Sequence, residues 1–226
     1  MKRCAIITAN LGDYDPPPAM ADQHVPAGWR LSRHYFNDAT FPPRPKAMTS
    51  RMQPGMLKML GWQFVPDRDA YIWIDASRTV TDPNYCAWML ANLDGADLAL
   101  YRHPQRKSIA EEAEYMLARM RRPKMRRSRY LLSRYDGEWI EEQLAAIQAD
   151  ANYKDDVLYA STALAYRPTA CVRAAFKEWW YHKTRYCLHD QLALPYVVWK
   201  HGCRVNVIEE SVYAEDRWVY SRPRGV

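Results

Sequence analysis

Four carboxylates stand out by what precedes them. Asp13 closes Thr8-Ala9-Asn10-Leu11-Gly12, Asp38 follows Tyr35-Phe36-Asn37, and Asp75 follows the apolar run Tyr71-Ile72-Trp73-Ile74. Asp190 lies in Leu188-His189-Asp190-Gln191, at the start of the last helical pattern. A carboxylate ending a buried parallel strand reaches the rim of the sheet, where α/β folds bind ligands. Carboxylates placed in this way can hold a divalent cation against a diphosphate, or bind the hydroxyls of a ribose or sugar. One of them can also position or deprotonate an acceptor hydroxyl. Arg51 and Lys58, upstream of Asp75, bring positive charge for a diphosphate. Such a set suits transfer from a nucleotide sugar. The plain alternative for any one Asp is a turn or a helix cap.

Other chemistries lose their usual signatures. Neither Gly-x-Gly-x-x-Gly nor a Walker pattern occurs, Gly-x-Ser-x-Gly is missing, and the six histidines never fall as His-Glu-x-x-His. Five cysteines (Cys4, Cys86, Cys171, Cys187 and Cys203) are scattered without Cys-x-x-Cys spacing, which reads as buried thiols. The length of 226 residues suits a single domain, 1–226, with a basic insertion at about 119–134. No apolar run is long enough to span a bilayer, and Met1-Lys2-Arg3-Cys4-Ala5-Ile6-Ile7-Thr8 reads as the approach to a strand, so a cytoplasmic protein is expected.

The elements that must carry these residues alternate. Strands are expected at Cys4–Ala9, Leu31–Phe36, Tyr71–Asp75, Asp97–Tyr101, Leu158–Arg167 and Arg204–Ile208. Tyr71–Ile74 is apolar at every position, the pattern of a strand covered on both faces. Helices are expected from Met48 to Leu60, stopping at Gly61, from Asp82-Pro83 to Leu93, and from Glu138 to about Ala149. Two more are expected from Pro168 to about Lys183 and from Leu188 to Gly202. Ser108-Ile109-Ala110-Glu111 is a capping box and places a helix from Ile109 to about Arg122. The alternation predicts an α/β fold with a mostly parallel sheet flanked by helices. Trp179 and Trp180 are read as core.

The order of motifs is similar to that of a glycosyltransferase-like family of GT-A architecture, formerly a domain-of-unknown-function family with plant cell-wall and bacterial members. The matching residues are Thr8-Ala9-Asn10-Leu11-Gly12-Asp13-Tyr14-Asp15, Phe36-Asn37-Asp38 and Tyr71-Ile72-Trp73-Ile74-Asp75. They continue with His103-Pro104-Gln105-Arg106, Glu111-Glu112-Ala113, Trp179-Trp180 and His189-Asp190-Gln191-Leu192-Ala193-Leu194-Pro195-Tyr196. The resemblance covers nearly the whole chain. It implies a GT-A-like Rossmann-type fold and a nucleotide-sugar donor, with a UDP-sugar as the family-level expectation. Thr8, Asn10, Asp13, Tyr14, Asp38, Arg51, Lys58, Asp75, Ser77, His103, Arg106, Ser161 and Thr162 are then expected at the donor. Asp190 is expected as the catalytic carboxylate, with His189 and Gln191 beside it. A Mn²⁺ or Mg²⁺ ion is expected on Asp75. Here the chain departs from common GT-A practice, because Asp75-Ala76-Ser77 stands where many such enzymes carry Asp-x-Asp. Either a second ligand comes from elsewhere or basic side chains neutralise the diphosphate.

The charge is local. Arg119, Arg121, Arg122, Lys124, Arg126, Arg127, Arg129 and Arg134 fall in a stretch without acids, and setting those eight aside turns the net charge from +6 to −2. A single-sign block points to an anionic partner, and a phosphate backbone fits it. DNA carrying a hydroxylated (hydroxymethyl) base is therefore the first expectation for the acceptor, by analogy with phage DNA modification. Such a base must be flipped out of the stack. A cell-surface or acidic glycan is the alternative acceptor. The alternative class is a non-catalytic nucleic-acid-binding module on the same fold.

Overall fold

The computed structural model describes residues 1–12, 15–42, 44, 47–122, 132 and 135–221. Among the described residues, eight strands form: β1 (Lys2–Asn10), β2 (Trp29–Asn37), β3 (Ala70–Ile74), β4 (Arg78–Val80), β5 (Leu98–Arg102), β6 (Tyr159–Tyr166), β7 (Val205–Ile208) and β8 (Trp218–Tyr220). Six build one sheet in the order β2-β1-β3-β6-β5-β7, while β4 and β8 pair separately. Five strands of the large sheet run one way and β6 runs against both its neighbours, β3 and β5. The sheet is therefore mixed but mostly parallel, as the alternation of elements predicts.

Helices cover both faces, which is why β3, in the middle of the sheet, is apolar throughout. The odd-numbered face of β1 and β3 (Ala5, Ile7, Tyr71, Trp73) packs on α1 (Gln53–Met59), α2 (Gly61–Phe64), α4 (Ile109–Arg121), α5 (Ile140–Gln148), α6 (Ala170–Arg185) and α7 (Leu194–Lys200). The opposite face (Cys4, Ile6, Ile72, Ile74) packs on α3 (Tyr85–Asn92) and on the small β4–β8 ribbon. Strand β3 has every residue buried. Residue 75 keeps the parity of Trp73, so Asp75 leaves the sheet on the side of α1 and α6.

Three elements differ from the sequence expectation. The helix expected from Met48 to Leu60 splits into α1 and α2 at Leu60, whose backbone leaves the helical region (φ −121, ψ 26). Gly61 opens α2 instead of ending α1. A Cβ at Gly61 would lie 2.8 Å from both Ile7 Cδ1 and the Tyr166 hydroxyl, so only glycine brings this turn onto the sheet. The last helix is shorter than expected and is preceded by a 3-10 turn, Asp190–Leu192. The tail, read only as polar and aromatic, folds back as β8, and Trp218 inserts edge-on between Tyr85 and Tyr101. The Ser108 hydroxyl accepts from the Glu111 amide at 3.0 Å, the cap expected for α4. Among the described residues, no helix is long and apolar enough to cross a membrane.

Candidate active site

The sheet order fixes where a ligand can enter. From β1 the sheet runs to β2 on one side and to β3 on the other, so the carboxyl ends of β1 and β3 flank a switch point, the usual binding crevice of an open α/β sheet. A cleft of about 1010 Å³ opens there. Its walls come from the end of β1 (Asn10, Leu11), from α1, from the turn after β3 (Asp75 to Arg78), from β6 (Ser161, Thr162), from α4, from residues 188–191 and from the tail (Tyr213, Tyr220). That volume is at the upper end for small-molecule sites and admits a nucleotide sugar with room for an acceptor. Six basic side chains (Arg51, Lys58, Arg78, Arg106, Arg119 and Lys183) face four carboxylates (Asp15, Asp75, Glu112 and Asp190) along the walls.

A chain of alternating charges forms the floor. Lys58 lies on the buried side of α1 and donates to Asp190 Oδ2 at 2.8 Å and to Asp75 Oδ1 at 3.4 Å. Lys183, on the buried stripe of α6, donates to Asp190 Oδ1 at 2.6 Å and to the Leu188 carbonyl at 2.7 Å. The Trp179 indole donates to the Asp190 carbonyl at 2.8 Å, and the Trp73 indole to Asp75 Oδ1 at 2.7 Å. Burial alone would raise the Asp190 carboxyl, but Lys183 and then Lys58 outweigh it and hold the group far below the usual carboxylate range. Burial likewise works against the Lys58 ammonium, and Asp190 and Asp75 together more than restore it. Both groups are therefore charged at neutral pH. Gly55 makes room for this arrangement: a Cβ there would meet Lys183 Cε at 2.4 Å, so the lysine stem crosses α1 only over a glycine.

A second chain lines the wall beside it. Arg106 Nε is bonded to Glu112 Oε2, and the other oxygen, Oε1, lies 2.8 Å from His189 Nε2. Tyr135 OH is 3.3 Å from His189 Nδ1, and the Arg106 guanidinium lies 4.1 Å from the centre of the Tyr115 ring. The Glu112 side chain is only 3% exposed. Its burial would raise the carboxyl, yet the hydrogen bond and charge of His189, with Arg106, bring it down to about 2. His103 is neutral: burial first, then Arg106 and His189 against Glu112, brings it to about 4. Its Nδ1 accepts from the Gln105 and Arg106 amides at 3.2 and 3.0 Å, which shapes the turn that aims Arg106.

Most of the expected site residues meet in this cleft: Asn10, Arg51, Lys58, Asp75, Ser77, His103, Arg106, Ser161, Thr162, His189, Asp190 and Gln191 line it. Asn10 clips the loop after β1, donating to the Asp15 carbonyl at 2.6 Å. Ser77 Oγ accepts from Arg78 Nη1 at 2.8 Å, and the Thr162 carbonyl accepts from the Asp75 amide at 2.9 Å. Two expected donor residues are elsewhere. Thr8 points to the other side of β1 and its hydroxyl is buried, and Asp38 grips the Gly12 amide at 3.0 and 3.2 Å, so its carboxylate shapes a loop and does not line the cleft. Asp13 and Tyr14 lie outside the described residues. Of the basic block, Arg119 lines the cleft, Arg121 pairs with Glu141 at 3.5 Å on the surface, and Arg122 is exposed. Lys124, Arg126, Arg127 and Arg129 lie outside the described residues.

Among the described residues, the donor set at Asp75 does not suit a divalent ion. Its Oδ1 is taken by the Trp73 indole and faces the Lys58 ammonium, a fixed positive charge at 3.4 Å. Asp190, which shares Lys58 with Asp75, has both oxygens on lysines. Among the described residues, no group of three or more His, Cys, Asp or Glu converges as a metal site. Hard cations need several such oxygens.

Sequence reading missed Lys183, Arg78, Tyr135 and the role of Glu112. Lys183 had a signal: it falls four residues after Trp179, on the apolar stripe of an amphipathic helix, where a lysine needs a buried partner. Glu112 also falls on the buried side of its helix. Arg78 and Tyr135 offered none.

No family model matches the chain, and no curated protein matches it. Among solved structures, the chain is similar to a glycosyltransferase involved in the glycosylation of the major capsid of PBCV-1, with 9% identity, a TM-score of 0.44, and coverage of 91% of this chain and 81% of that one.

Proposed function

We propose that the protein is a glycosyltransferase that takes a sugar from a nucleotide-sugar donor to an acceptor hydroxyl, with a UDP-sugar as the first donor to test. The observation that carries this reading is the cleft at the switch point of the sheet, whose basic side chains face a rim of carboxylates and hydroxyls. A diphosphate needs fixed positive charge as it leaves. Arg51, Lys58 and Arg78 supply it here, in place of an ion held between carboxylates. Asn10 and the loop after β1 receive the nucleoside, and Ser161, Thr162 and Asp75 receive the hydroxyls of the sugar. Lys58 is also the hinge of the floor, since it ties Asp75 on β3 to Asp190 ahead of α7.

Asp190 has a different part from the one the sequence suggested. A carboxylate with an ammonium on each oxygen is a poor proton acceptor, so we assign it the task of holding Lys58 and Lys183 in place. The acceptor is proposed to be polyanionic, with hydroxymethylated DNA first, because Arg119 and Met120 bring the basic end of α4 to the cleft wall.

The test is donor hydrolysis. A transferase commonly splits its own donor slowly in water, so incubation with UDP-glucose, UDP-galactose, UDP-N-acetylglucosamine and GDP-mannose is expected to release the nucleoside diphosphate from at least one. Release from none of them, at protein concentrations where a turnover per hour is visible, contradicts the proposal.

A further inference from the structure

On the floor Asp190 has both oxygens on lysines and Asp75 has one oxygen taken, and the wall beside them contains a further proton acceptor. The four groups Arg106, Glu112, His189 and Tyr135 form a continuous line in which the histidine sits between a buried carboxylate and a phenol. All four line the cleft. In the neutral imidazole, Glu112 takes the Nε2–H of His189, and Nδ1, which meets the Tyr135 phenol, carries the lone pair. The 3.3 Å contact from Tyr135 to Nδ1 is long for a hydrogen bond and is readily displaced. His189 is also fixed in the chain next to Asp190, which Lys58 ties to Asp75. A group on Nδ1 is therefore held beside the floor where the donor is placed.

We propose that His189 is the general base of the transfer and that Glu112, itself clamped by Arg106, is its positioning residue. This rests on the reading of the cleft as a donor site. The acceptor hydroxyl takes the place of the Tyr135 phenol at Nδ1. Its oxygen attacks the anomeric carbon, and the bond from that carbon to the diphosphate oxygen breaks. The electron pair leaves with the diphosphate, and the hydroxyl proton passes to Nδ1. The Glu112 carboxylate then faces an imidazolium, whose charge it stabilises, and it takes no proton itself. With water as the acceptor the same steps release the free sugar. The charged and titratable groups facing His189 are Glu112 on α4, Arg106 and His103 on the loop after β5, and Tyr135 ahead of α5, with Asp190 and its two lysines next in the chain.

The experiment has two arms. On the unliganded wild-type protein, nitrogen-15 correlation spectra of the imidazoles identify the tautomer of His189. Above the pH at which the ring loses its charge, the Nε2–H form with an unprotonated Nδ1 is expected, and the Nδ1–H form would overturn the proposal. For the donor that is split in water, His189→Gln and Glu112→Gln are compared with wild type for donor affinity and turnover. Loss of a general base is expected to cost turnover about a hundredfold or more, with donor affinity within about threefold of wild type. Glu112→Gln is expected to lose turnover by about tenfold or more and to move the acid limb of the pH profile to lower pH. The sign follows from the removed anion, which favours the protonated ring, so without it the ring deprotonates earlier. A merely structural Glu112 would leave the pH profile in place. Turnover of His189→Gln close to wild type, with the donor bound and split, overturns this inference alone. If no nucleotide sugar binds or is split, the reading of the cleft falls and takes this inference with it. If His189→Gln does not fold, the tautomer decides the point.

Discussion

Asp190 sits where sequence places it, and its two lysine contacts carry the proposal that it has another task. It ends a motif at the start of a helix and reaches the cleft, yet each oxygen accepts from a buried lysine. Replacing it by Asn leaves two buried ammoniums around one neutral amide. Breaking a buried pair in this way costs about 3–5 kcal/mol. For a domain of this size that lowers the melting temperature by about 6–20 °C. Thermal unfolding of Asp190→Asn is expected to show that drop, and an unchanged melting temperature would remove Asp190 from the role of anchor. Asp75 was legible in the sequence because four apolar residues run straight into it. Asp38 has the same look, but a strand-end pattern does not tell whether a carboxylate turns to the cleft or to a neighbouring amide, and here it takes the Gly12 N–H. Glu112 and Lys183 were harder to read, since each is explained only by a partner far along the chain: His189 for the first and Asp190 for the second.

At the scale of elements, hydrophobic patterning located the strands of the main sheet to within a residue or two: β1, β3, β5 and β6 are largely buried and leave few polar positions, and the half-buried edge strands β2 and β7 keep enough apolar residues to be read. The reverse direction of β6 was not legible. Its composition is that of the strands beside it, which run the other way, and direction depends on the end of the sheet at which the chain enters the strand. The ribbon of β4 and β8 was missed for a different reason: three residues on each side give too short a pattern to read, and the pairing depends on Trp218 finding Tyr85 and Tyr101. Helix α4 joins the two halves of the account. Its first turns hold Glu112 in the wall, and its last turn brings Arg119 to the cleft. If its basic end guides a phosphate backbone, binding to a hydroxymethylated duplex is expected at low salt, weakening steeply as salt rises, with a log–log slope that is reduced by about one for each phosphate-contacting arginine removed. Replacing Arg119 and Arg122 by Gln together tests this by fluorescence anisotropy. Negligible binding of wild type at low salt, with a glycan bound instead, would move the acceptor to that class.

For the whole molecule, one sheet sets the site. The carboxyl ends of β1 and β3 part at the switch point, and the helices on the α1 and α6 side bring two lysines beneath it. The floor of the cleft is thus built into the core, where Lys58 and Lys183 are buried and balanced by Asp75 and Asp190, and the surplus positive charge comes from the arginines of the walls. Under the proposed function, a diphosphate would meet charges that are already in place, which is the condition for stabilising a leaving group without reorganisation. The measurement that tests this most directly is calorimetric titration of UDP into the protein in the presence of EDTA, repeated with Mn²⁺. The account predicts binding in EDTA, with a dissociation constant that changes by less than about tenfold when Mn²⁺ is added. Binding that appears only with the metal, or no binding under either condition, would contradict it.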